Sequence, residues 1–164
     1  MKRWLGNLER LLDNSLTLPQ MELTWIKGRS FQRGKNEIHL NYLHPAKACV
    51  AEHETAHALE ANHADLLKAA VQFRTTRTAS ERPVGLATLF PRHGYRSTET
   101  TLRDGFMHAY TGKLYRNASG TDYATEVTSM GIQHLLEDTG KFFHEDIEHF
   151  FFTLGQLAGA RIHL

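Results

Sequence analysis

Cysteine is almost missing from this chain. Cys49 is the only one among 164 residues, which excludes an internal disulfide and fits a protein made in a reducing compartment. No apolar run approaches the length needed to cross a membrane. The start, Met1-Lys2-Arg3, looks like the head of a signal peptide, but Glu9 and Arg10 break the apolar run behind it. A cytoplasmic location is therefore expected, unless the chain leaves by a route without a cleaved signal or is a piece of a longer protein. Charge of one sign is also lacking: the net value is +1 with neutral histidines, so bulk electrostatics implies neither a nucleic-acid nor a membrane partner. No glycine-rich phosphate loop, Ser/His/Asp arrangement or Cys/His nucleophile stands out.

Histidine, by contrast, is plentiful, with eleven copies. Two of them form His53-Glu54-Thr55-Ala56-His57 inside a helix-favouring run from about Ala46 to Asn62. Positions four apart share a helix face, so His53 and His57 can close on one metal ion. Glu54 stands on the shoulder of that face, where a carboxylate reaches an attacking water rather than the metal. At this histidine and glutamate content chance yields the pattern in roughly one chain in twenty, so the rest of the chain has to decide between a metal site and a solvated histidine face.

The length suits one compact α+β domain over residues 1–164. Trp4, Leu5, Leu8, Leu11 and Leu12 recur at helical spacing. Then Thr24-Trp25-Ile26, Ser30-Phe31-Gln32 and the alternation through Ile38, Leu40 and Tyr42 predict a short antiparallel or mixed sheet. Its last strand, Glu37 to Tyr42, leads into the motif helix and is expected either to border a substrate cleft or to be an ordinary half-buried strand. His63 has the spacing of a metzincin third ligand, but Glu60 occupies the position where the chain would have to turn at a glycine. His63 is therefore read as a junction residue before a helix from Ala64 to about Arg74.

Lys68, Arg74, Arg77, Arg82, Arg92, Arg96 and Arg103 make a basic stretch, which could line a cleft for an acidic peptide or touch phosphate, or else be neutralised by the acids among residues 122 to 148. Asp104 to Tyr115 reads as a hairpin or turn-bounded loop. A helix is expected from about Tyr123, with Val127, Met130, His134 and Leu135 as its apolar stripe and Glu126 at the margin, where a third zinc ligand would stand. Phe143, Ile147, Phe150, Phe151 and Leu154 predict a phenylalanine-rich core helix. The adjoining His144-Glu145-Asp146-Ile147-Glu148-His149 has the i,i+4 charge pairing of a solvated face.

The set His53-Glu54-x-x-His57-x-Leu59-Glu60, Tyr110-x-Gly112-Lys113-x-Tyr115 and Thr125-Glu126-Val127-x-Ser129-Met130-Gly131 resembles zinc metallopeptidase domains encoded in phages and prophages, of the gluzincin class. The resemblance covers about residues 50 to 131. It implies a zincin-like fold with a short sheet, an active-site helix and C-terminal helices. It also implies Zn²⁺ held by His53, His57 and Glu126, Glu54 as general base, and hydrolysis of a peptide or protein substrate.

Tyr115 stands where gluzincins often carry a tyrosine that stabilises the oxyanion, with Tyr110, Tyr123 and His108 as competitors. Ser129, Glu60 and Asp122 are candidates to orient the ligands, and the thermolysin-like Asn-Glu-x-x-x-Asp helix is missing. Gly131 is expected to let the Glu126 helix approach the motif helix. The alternatives are a non-catalytic phage structural or binding domain stabilised by zinc, and an effector or toxin protease with one narrow target.

Overall fold

The computed structural model describes residues 16–45 and 47–159. The predicted helix around Trp4 to Leu12 falls outside them. What is described is an α+β arrangement of helices and small sheets.

The first sheet is formed by β1 (Glu22–Ile26), β2 (Phe31–Arg33) and β3 (Glu37–Asn41), in the order β1-β3-β2. β3 runs parallel to β1 and antiparallel to β2, so the sheet is mixed. The strand expected to border the cleft is thus the central one. Its alternation explains why: Ile38 and Leu40 point to one face and are buried, packed with Ala51 and flanked by Met21, Leu23 and Val50. The edges belong to β1 and β2. On the opposite face Phe31 stacks on His39, ring centroids 4.4 Å apart.

Pro45 lies just ahead of α1 (Lys47–Asn62), a run of alanines, glutamates and histidines without a glycine or proline. It passes straight through Glu60. His63, in extended conformation, then caps α2 (Ala64–Arg77), its carbonyl accepting from the amides of Leu66 and Leu67. The next stretch is irregular: β4 (Val84–Gly85), the one-turn α3 (Leu86–Leu89), β5 (Thr100–Thr101) and a 3₁₀ turn at Ala109–Gly112. A side chain at position 112 would run into the Leu102 carbonyl, so only glycine lets these two segments meet.

β6 (Tyr115–Arg116) pairs with β7 (Asp122–Ala124), and the chain then enters α4 (Val127–Glu145) and α5 (Ile147–Leu157). Tyr123 and Ala124 are the expected start of α4. They are extended instead, and the helix begins three residues later. α4 kinks at Asp138.

The core lies between α1, α2, α4 and α5. Ala56, Leu59, Leu66, Ile132, Leu135, Phe142 and Leu157 form one cluster; Ala70, Phe73, Phe106, Val127 and Phe152 form another. The orientation of α5 reverses the expectation from its phenylalanines. Of the expected stripe Phe150 is half-buried against the core, but Ile147, Phe151 and Leu154 are exposed, as is Phe143 at the end of α4, whereas His149, Phe152, Thr153, Gln156 and Leu157 face inward.

Three specific contacts hold this face in: Asp146 accepts the His149 amide, His149 Nε2 lies 2.8 Å from the Val127 carbonyl, and Phe73 stacks on Phe152 at 4.1 Å. His149 is therefore core, not the solvated residue its charged neighbours suggest. Gly131 serves this same junction. A side chain there would strike Thr153 and crowd His149, so the close approach it permits is between α4 and α5, not between α4 and α1.

Two members of the basic stretch, Arg74 and Arg77, are consumed inside the fold, whereas Lys68, Arg82, Arg92, Arg96 and Arg103 are exposed. Arg74 is fully buried and binds Asp122 at 2.6 Å and the Lys113 carbonyl at 3.1 Å. Arg77 binds Asp104 and Asp146, each at 2.7 Å. Arg74 thereby ties α2 to both the Lys113 segment and β7, the two stretches that flank the cleft. No helix among the described residues is long and apolar enough to cross a membrane.

Candidate metal centre

α1 sets His53 and His57 one turn apart on its cleft face, their rings 4.9 Å apart and nearly perpendicular. The third donor comes from the residue just before α4. Glu126 has φ −99° and ψ 0°, its carbonyl accepts the Met130 amide, and its side chain is fully buried. Its Oε2 lies 3.1 Å from His53 Nε2 and 3.2 Å from His57 Nε2. Donors at zinc–ligand distance on a tetrahedral ion stand about 3.3 Å apart, so two imidazole nitrogens and one carboxylate oxygen are spaced to share a metal ion.

The electrostatics points the same way. Burial opposes the charge on Glu126, but His57 and His53 outweigh it and hold the carboxyl well below its usual range. Burial likewise opposes a proton on His57, and the Glu126 carboxylate overcomes that and lifts the imidazole to about 9. The protein therefore builds a strong preference for positive charge at the point where the three donors converge.

Two of the three donors, His53 and Glu126, are oriented by further side chains. His53 Nδ1 lies 3.0 Å from Gln133 Oε1, and Gln133 in turn donates to Glu137 at 3.0 Å. A proton on Nδ1 satisfies that contact and leaves Nε2 bare for a metal. Ser129 Oγ donates to Glu126 Oε2 at 3.0 Å, and the Tyr115 hydroxyl donates to Glu126 Oε1.

Glu60 acts at one remove. Its buried carboxylate accepts from the Thr125 amide at 2.7 Å, Thr125 Oγ1 at 2.6 Å and Thr128 Oγ1 at 3.1 Å. It thus fastens α1 to the turn that carries Glu126. Asp122 touches none of the ligands; it serves Arg74 and Arg116. Gln133 was not anticipated, although its place seven residues after Glu126 puts both on one side of α4.

Glu54 is buried, with burial pushing its carboxyl up while His53 and His57 pull the other way. It lines a cleft of about 590 Å³ together with His53, His57 and Glu126. The rim on one side is the free edge of β2 and the turn before it, from Arg29 to Gly34. Tyr110, Lys113, Tyr115 and Tyr123 line the cleft as well, Tyr110 meeting Arg29 at 2.6 Å.

Tyr110 meets Tyr115 hydroxyl to hydroxyl at 3.5 Å, and Tyr123 lies exposed on the rim. His108 is outside the cleft lining and caps the 3₁₀ turn by accepting the Tyr110 amide. His63 is remote as well, its Nε2 3.3 Å from the Thr17 carbonyl. No protein-family model, curated protein or solved structure matches this chain.

Proposed function

We propose that the protein is a zinc-dependent metallopeptidase. The observation that carries this reading is the placement of Glu54, a buried carboxylate lining the same cleft as His53, His57 and Glu126. A site meant only to staple the fold has no use for a desolvated acid beside three donors, whereas hydrolysis needs a base there.

Bound zinc would supply a Lewis acid that polarises the scissile carbonyl and makes water acidic enough to attack near neutral pH. His53, His57 and Glu126 would hold it, two neutral imidazoles and one carboxylate, the donor set zinc accepts in hydrolytic sites. Glu54 takes the proton of the attacking water and passes it to the leaving amine; the burial that raises its carboxyl brings it closer to the pH at which it must both accept and give.

Tyr115 supplies a hydroxyl at the cleft wall for the charge that grows on the carbonyl oxygen. It reaches that oxygen by leaving Glu126, to which it donates in the resting site. The β2 edge offers main-chain donors and acceptors to an extended peptide.

Glu54→Gln tests the reading. The variant should keep zinc while hydrolysis of a mixed peptide library falls by at least about a hundredfold, the usual loss when a general base is removed. Full activity in the variant would overturn the mechanism, and a zinc-loaded wild type that cleaves no peptide would favour a purely structural metal.

A further inference from the structure

We propose that Arg29 forms a subsite for a carboxylate of the substrate on the cleft wall beside the metal-binding triad. This rests on the peptidase reading and adds a substrate class to it. Arg29 sits in the turn between β1 and β2 and is held in place rather than left to wander: Nη2 donates to the Tyr110 hydroxyl at 2.6 Å, and the guanidinium lies over the rings of Tyr95 and Tyr110 at 5.3 and 5.9 Å. From Tyr110 the path to the metal site is short. Its hydroxyl is 3.5 Å from that of Tyr115, which donates to Glu126. About two residues of an extended peptide, or one residue and its side chain, would bridge that span.

The charges around Arg29 do not cancel. Glu99 is the only carboxylate that pairs with it among the described residues, at 3.4 Å. That carboxylate is already committed, to Lys113 Nζ at 2.8 Å and to the Arg96 amide at 2.8 Å. Two cations therefore share one anion. Lys113 is buried and its ammonium lies 4.4 Å from the Tyr115 ring centroid, whereas half of the Arg29 side chain is open to the cleft.

A guanidinium has five N–H donors, and only two of its nitrogens are engaged here. Arg33 on the β2 rim adds a further positive charge. The cleft's own acids, Glu54, Glu60 and Glu126, are all buried on its floor. The wall facing an incoming peptide is thus positive, and the three N–H groups of Arg29 left over can donate to a carboxylate.

The carboxylate can come from an Asp or Glu side chain or from a free C-terminus, and the test separates the two. Zinc-loaded Glu54→Gln protein would be titrated with a fluorescent neutral peptide ending in an amide, the same peptide with one glutamate, and the same peptide with a free C-terminus. At least one acidic form should bind about tenfold or more tightly than the neutral one, the scale of one charge-assisted contact. Arg29→Gln in that background should abolish the difference, and Arg29→Glu should reverse it in favour of a lysine-containing peptide. Equal binding of all three peptides, or an acidic preference that survives Arg29→Gln in a protein with an unchanged circular dichroism spectrum, would overturn the subsite.

The two ideas fail separately. Cleavage of peptides without any dependence on Arg29 sinks the subsite and leaves the peptidase. Arg29-dependent binding of acidic peptides that wild type never cleaves keeps the subsite and sinks the peptidase.

Discussion

Acid should destabilise this fold through the buried histidine on α5, and the size of the effect follows from its surroundings. His149 is fully buried against Phe73, Phe106 and Phe142. Burial lowers its imidazole from 6.5 to about 4, although the Val127 carbonyl and Asp146 favour the charged form. Asp146 helps little because Arg77 already holds it at 2.7 Å. Between these two values the unfolded chain binds the proton and the folded chain does not, so stability is complete above pH 6.5 and is lost as pH falls towards 4.

At about pH 5 the unfolded state has gained roughly 1.5 pH units of protonation free energy, about 2 kcal/mol from this one side chain. Replacing His149 by Gln keeps an amide donor for the Val127 carbonyl and removes the titration. Urea unfolding of both chelator-treated proteins at about pH 7.5 and about pH 5 should show wild type losing about 2 kcal/mol more than His149→Gln. Carboxylates whose values are raised in the fold, such as Glu52 and Glu60, act in the opposite direction but appear in both proteins and cancel in the difference. Identical pH dependence in the two would refute the reasoning.

Two further outcomes concern the metal. Glu126→Ala should lose zinc on mild dialysis together with activity, while His63→Ala should keep both; zinc stoichiometry decides, and the opposite pattern would move the third ligand to His63. Gln133→Ala frees His53 Nδ1 and should weaken zinc binding about tenfold to a hundredfold, read by competition with a chromogenic chelator, with the fold unchanged. No change in affinity would mean that His53 is oriented by its helix alone.

The two candidate histidine donors were legible because they depend on helix periodicity, whereas Glu126 was assigned through the resemblance. His53 and His57 meet wherever that helix sits, and the basic stretch with its acidic counterpart foretold Arg74 on Asp122 and Arg77 on Asp146. What stayed hidden is long-range. That β3 is central and β2 is the rim depends on a parallel pairing with β1 that no local pattern encodes.

The same limit explains α5. Its phenylalanine stripe and its His-Thr-Gln stripe both have helical period, and only the packing of Phe73, Gly131 and Val127 selects the second as the inner face. Arg29 was illegible for a related reason: it lies 81 residues from Tyr110 and 70 from Glu99, and its meaning comes entirely from them.

Glu60 carries a consequence for how the site meets its ion. One helix carries His53, His57, Glu54 and the Glu60 carboxylate that grips the turn presenting Glu126, so a single rigid element fixes the distances among the candidate donors. That frame is drawn by protein contacts, Glu60 with Thr125 and Thr128 among them. An arriving ion then spends little of its binding energy on ordering the chain, and it must fit three donors whose spacing is already set. Selectivity in such a frame comes from shape: small ions content with few ligands fit it, and ions that need a wide shell of oxygens do not.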